Sequence, residues 1–167
     1  MVQPRFRYTN LYFSDTEDDA DNIALWESQT AAELNALTIT SGDLDAPTGA
    51  DDLAMNDWVD YCTEFMIEVS RNEIDYTSLG SQDQQIVAGK GKSVITANFI
   101  WDDGADKPAE IMTDAPGMRV LRATRNGKTL TAVGRVLEVK FGSNKNGTIE
   151  METKFLVSGQ EMPRWTV

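Results

Sequence analysis

Two stretches hold residues of the right type for chemistry. Gly89–Ser93, "GKGKS", ends like a phosphate-binding loop, and "ANFIWDD" closes an apolar run on acids, like a magnesium-binding strand. A phosphate loop needs a glycine five residues before its Gly-Lys pair, and that place holds Ile86. It must also lead into a helix whose first amides hold the phosphates. Here the chain continues as "SVITANFIW", β-branched and aromatic, the composition of a strand. Lys90 and Lys92 therefore read as polar ends of a strand. Asp102, Asp103 and Asp106 with Glu110 have the donor type for a hard cation, yet turn chemistry and helix capping by Asp106 account for them. "DTEDDADN" at 15–22 lacks the glycine and closing glutamate of a calcium loop and reads as a solvated acidic arm. "NGT" at Asn146 reads as a hairpin turn.

The chain has no histidine. That removes Ser-His-Asp and Cys-His nucleophile pairs and every imidazole metal site. One cysteine, Cys62, precludes a zinc site of cysteines and an internal disulfide. The expectation is a protein that is not an enzyme and carries no cofactor or metal. No run approaches the roughly 18–20 apolar residues of a membrane helix, and "MVQPRFRYTN" lacks a signal-peptide core, so no membrane partner is expected and a cytosol-like compartment is. The net charge of −12 is uneven: residues 1–60 hold 13 acids against Arg5 and Arg7, while the remainder is nearly neutral. A tight nucleic-acid binder needs the opposite sign. A surface that must repel DNA, or stay soluble at high concentration, would want this sign.

The elements that position these residues are mainly strands. Glu64–Ser70 is one, turned by "RNE" into Ile74–Leu79, and Lys92–Trp101 is a second. Residues 118–124 then meet Asn126-Gly127, the strongest short hairpin signal, and continue as 128–141. Residues 142–147 turn the chain into 148–159. Val133, Leu137, Val139 and Phe141 define one apolar face, and Ile149, Met151, Phe155 and Val157 another, with charges opposite. A helix is predicted at Asp106–Ala115, flanking the sheet. Ile23, Trp26, Ala31 and Leu34 have roughly helical spacing, as helix or ordered arm. Ser41–Asp52 is a loop by composition, free of core residues. Residues 1–167 form a single domain, with 1–60 an acidic arm, helix and loop and 61–167 a β-sandwich body.

Arg119, Arg122, Arg125, Lys128 and Arg135 cluster around the Asn126-Gly127 hairpin without interleaved aromatics to stack bases. Two roles remain for them, pairing with acids of a neighbouring subunit, Asp43, Asp45, Asp51 and Asp52, or plain solvation.

The order "FMIEVSRNEIDYTSLGSQDQQIVAGKGKSVITANFIWDDGADKPAEIM" resembles the central part of siphophage major tail (tail tube) proteins. The resemblance rests on Thr77, Leu79, Gly80, Gly89 to Lys92, Phe99, Asp102 and Asp103, then Lys107–Met112. "GRVLEVKFGSNKNGTIEMETKFLVSGQ" resembles that family's last hairpin. Residues 60–160 are covered, and the motifs are pattern and order. The resemblance implies an antiparallel β-sandwich with one flanking helix. Six subunits would form a ring whose sheets close an inter-subunit barrel, and rings would stack into a tail tube. Its partners would be copies of itself, the tape measure protein and tail-end proteins, with DNA only as passing cargo. Its place would be the virion tail, after assembly in the host cytoplasm. Alternatives are a tail terminator, a decoration protein, a contractile-injector inner tube or a carbohydrate-binding β-sandwich.

Overall fold

The computed structural model describes residues 8–14, 20–75, 86–102, 118–143, 145–159 and 161–167. Among the described residues nine strands run in chain order: β1 (Tyr8–Ser14), β2 (Ile39–Thr40), β3 (Asp43–Leu44), β4 (Leu53–Asp57), β5 (Cys62–Asp75), β6 (Ile86–Asp102), β7 (Met118–Arg125), β8 (Lys128–Ser143) and β9 (Thr148–Ser158). Two helices, α1 (Ala20–Ser28) and α2 (Ala31–Ala36), lie between β1 and β2, and a 3-10 turn, Val59–Tyr61, precedes β5. All nine strands belong to one sheet, β2-β3-β4-β1-β7-β8-β9-β6-β5, every neighbouring pair antiparallel. The sandwich expected from sequence is thus one hydrogen-bonded sheet, open at β2 and β5, rather than two.

That sheet coils back on itself. Three strands separate β1 from β6, about 19 Å across a flat sheet. Yet Phe13 of β1 lies 5.9 Å from Phe99 of β6 between ring centroids, and Trp58 wedges against both. Tyr8 meets Phe65 of β5 at 5.1 Å. Aromatic burial drives the curl, since each such ring removes 150–250 Å² from water. The concave face holds Leu11, Phe13, Ile95, Phe99, Leu121, Leu130, Met151 and Phe155, all at most 1–2% exposed. On the other face, Val120 and Val133 are covered by Ile23, Trp26 and Leu34 from the helices. The helical spacing of these residues in the sequence is therefore real, broken into two pieces where Thr30 caps α2. Its Oγ1 accepts from the Glu33 amide while the Glu33 carboxylate accepts from the Thr30 amide, a reciprocal cap.

Several expectations change. The front half does not stand apart as arm and loop: β1 sits between β4 and β7 within the sheet. Ser41–Asp52 is not free of core residues, because Leu44 in β3 is fully buried. The turn expected at "RNE" is a register shift between Arg71 and Glu73, and β5 runs on to Asp75. Asp103, Asp106, Glu110, the expected helix at 106–115 and most of the Ile74–Leu79 strand lie outside the described residues. The Asn126-Gly127 hairpin forms as expected, with φ of 50° and 71°, the positive pair a type I′ turn requires.

The face assignment in β8 is corrected too. Its pairing with β9 slips between Val136 and Glu138, leaving Leu137 as the extra residue of a bulge. A bulge switches which parity faces inward. Val133 therefore points at the helices, Val136 and Val139 at the concave core, while Leu137 and Phe141 are 50% and 62% exposed.

Candidate assembly surface

β7 pairs with β8 only from Lys128 to Arg135. Beyond that point, residues 136–143 of β8 bond to β9 on one side and to nothing on the other among the described residues. A four-stranded half-sheet results, β8(136–143)-β9-β6-β5, with an open edge at each side. Its convex face is uncovered among the described residues. Cross-strand rungs there read Glu138–Lys154–Thr96–Met66, then Lys140–Glu152–Asn98–Glu64, then Gly142–Glu150–Ile100.

This face is charged but internally paired. Glu138 takes Lys140 at 3.0 Å and Lys154 at 3.3 Å, and Lys154 reaches Glu152 at 3.9 Å. Hydrogen bonds from Lys140 and Lys154 hold the Glu138 carboxyl below its usual range, and the same contact raises Lys140. Asn98 Nδ2 donates to Glu64 at 2.8 Å. Solvent screens such exposed pairs, so they fix register and charge pattern more than stability. Four carboxylates against two ammoniums in these rungs leave the face acidic.

Apart from the C-terminal Val167, every exposed large hydrophobic among the described residues lies in this half-sheet: Met66, Val69, Ile100, Leu137 and Phe141. Met66 and Val69 sit on the open edge strand β5, Leu137 and Phe141 on the open length of β8. Long exposed edges with apolar side chains are what a soluble monomer avoids. A groove of about 670 Å³ opens at the end of the half-sheet, lined in part by Thr63, Ile100, Phe141, Gly142, Glu150 and Glu152.

The sequence-predicted interface residues scatter. Arg119 is fully buried and donates to the Ser14 carbonyl. Arg122 is 5% exposed and donates to the Leu34 carbonyl, the Leu37 carbonyl and Thr131 Oγ1. Burial pulls its guanidinium down to about 10. Both arginines are held inside the chain, Arg119 on the β1 backbone and Arg122 on the carbonyls at the carboxy-terminal end of α2, where helix carbonyls lack intrahelical donors. Arg125 stacks over Trp165 at 4.6 Å and Tyr8 at 5.7 Å. Lys128, Arg135, Asp43, Asp45, Asp51 and Asp52 are exposed, and Asp51 accepts from Asn22 at 3.5 Å. Cys62, half-buried at the start of β5, has its thiol pushed up to about 11 by burial. The convex face itself escaped the sequence reading of an interface, though its alternating signs in "EVKF" and "EMETKF" were visible.

No family model matches this chain, and no curated protein does. Among solved structures it is similar to a chain of the virion of a native gene transfer agent particle, 14% identical, TM-score 0.50, covering 64% of this chain and 85% of that one. It is also similar to a chain of the tail of an empty gene transfer agent particle refined helically with C6 symmetry, 15% identical, TM-score 0.53, covering 84% of this chain and all of that one. At such identities the likeness is one of fold.

Proposed function

We propose that this protein is a tail tube subunit, six copies closing into a ring through the two open edges of the half-sheet. One observation carries the reading: among the described residues the half-sheet has four strands, an even number, with an unpaired edge at each side. Copies related by a ring axis share one axial direction. β5 of one copy then lies antiparallel to β8(136–143) of the next, and the alternation continues round the ring without a break. Closure removes both edges and covers Leu137, Met66 and Val69. Six copies of four strands at about 4.8 Å spacing and about 40° tilt make a barrel about 48 Å across. The acidic convex face would line it, so that DNA passes without counterion-releasing contacts. A tape measure protein would occupy the same lumen before DNA does. The C6 tail neighbour supports the choice of six. Lys128 and Arg135 remain for pairing with Asp43, Asp45, Asp51 or Asp52 of neighbouring copies.

Negative-stain microscopy of the purified protein over a range of concentrations tests this. Rings or tubes with sixfold class averages are expected. A strict monomer at every concentration, with or without a tail initiator, would refute it.

A further inference from the structure

The strands of the half-sheet share one rung made of Phe141 in β8, Met151 in β9, Phe99 in β6 and Cys62 in β5. Side chains alternate along a strand, and all four of these belong to the side that builds the concave core. The middle pair is sealed, Met151 at 2% exposed and Phe99 at 1%, whereas Phe141 is 62% exposed. The apolar row thus runs out at the open length of β8, where no further strand follows among the described residues. Burying an aromatic ring removes about 150–250 Å² from water. A bare ring beside an unpaired edge is placed to be covered.

The other end of the same rung carries a space for it. A cleft of about 560 Å³ opens beside Cys62, lined in part by Tyr8 of β1, Val59 and Asp60 of the 3-10 turn, and Glu64 and Phe65 of β5. Tyr8, Val59, Cys62 and Phe65 are partly buried and pack against the concave core, so the inner side of the cleft is apolar. Asp60 and Glu64 are exposed and make its rim acidic. Beside Phe141, the Lys140 side chain is 62% exposed, and its own rung ends at Glu64. Ring and cleft therefore match twice, apolar at the centre and of opposite charge at the rim.

Resting on the ring reading, we infer that Phe141 of each copy enters this cleft on the next copy of the same ring, with Lys140 facing Glu64 and Asp60. Joining β8 to the next β5 carries the rung across the edge on the same side of the sheet. Six copies of four strands at about 40° tilt step by about four residues along the strand per copy. That step keeps Phe141 opposite residues 58–66, the stretch that lines the cleft. The cleft is completed only by the neighbouring copy, and a central aromatic in a pocket is the usual energetic centre of an interface. Backbone edges alone specify register weakly. Phe141 in its cleft selects one register of β8 against β5, and with it one stagger and one ring size.

Two variants test this. Phe141→Ser, at an exposed site, is expected to melt as the wild-type chain does before assembly, yet to need at least tenfold more protein to form rings. Phe141→Leu, still apolar, recovers most of that loss. Ser143→Cys places a thiol two residues beyond Phe141, on the same side, and leaves the aromatic in place. Cys62 is the only other cysteine of that variant, so a short bismaleimide added to its rings should join neighbouring copies into a ladder of up to six. Adding Cys62→Ser to the variant abolishes the ladder. Should Phe141→Ser fail to fold, the ladder decides alone. Rings of Phe141→Ser at the wild-type concentration, or Ser143→Cys rings that give no ladder, would overturn the Phe141 contact while leaving the ring reading standing. Wild-type protein that forms no rings refutes the ring reading, and the contact with it.

Discussion

Arg122 shows how a residue type can be legible while its role is not. In sequence it is one of five bases around a hairpin and reads as a surface charge. In the fold it reaches across to the end of α2 and satisfies the Leu34 and Leu37 carbonyls. Nothing within its own strand announces this, because the partners lie about 85 residues upstream. Its substitution tests the assignment. Arg122→Met keeps the aliphatic stem but strands the Leu37 carbonyl and leaves Leu34 only the Leu37 amide at 3.4 Å, and an unsatisfied buried acceptor next to lost charge-assisted bonds costs about 2–4 kcal/mol. Urea unfolding should show the midpoint fall with an unchanged slope. A loss below about 0.5 kcal/mol, the range of ordinary surface positions, would mean the guanidinium is a surface charge after all.

Among the elements, strand identity was readable and strand ends were not. β7, β8 and β9 follow alternating runs divided by Asn126-Gly127 and Gly147, whose positive φ values mark real turns. β5 and β6 proved longer than their apolar cores, because ladder pairing carries polar residues such as Arg71 and Lys92 past the point where hydrophobic pattern stops. The bulge at Leu137 could not be seen, since an apolar residue fits either parity until the partner strand is known. β1 was missed because its seven residues pair only with strands far away in sequence. Close approach between β8 and β9 gives a test at this scale. A Cβ on Gly134 would lie 2.1 Å from the Leu156 carbonyl oxygen and 2.8 Å from the Phe155 ring. Gly134→Ala must push β9 outward at the cost of core packing, about 1–3 kcal/mol. An unchanged melting temperature would show that the two strands do not sit this close.

At the scale of the whole molecule, the fold class was available from alternation and turns, and the tail-tube resemblance pointed to assembly. The proposed assembly surface was not available, since an open edge is a property of which strands fail to pair. Half of β8 outlives its partner β7, and among the described residues that mismatch creates the second edge. It also divides the convex face: helices cover one part, and among the described residues an acidic, lysine-bridged lattice remains open on the other. The central claim is that β5 of one copy joins β8(136–143) of the next. Hydrogen exchange by mass spectrometry, comparing dissociated chain with assembled rings, tests it most directly. Amides of 62–71 and 136–143 should slow together on assembly, by about a hundredfold or more, as edge positions become interior ladder. Rings that assemble with both segments exchanging as they do in the free chain would contradict it.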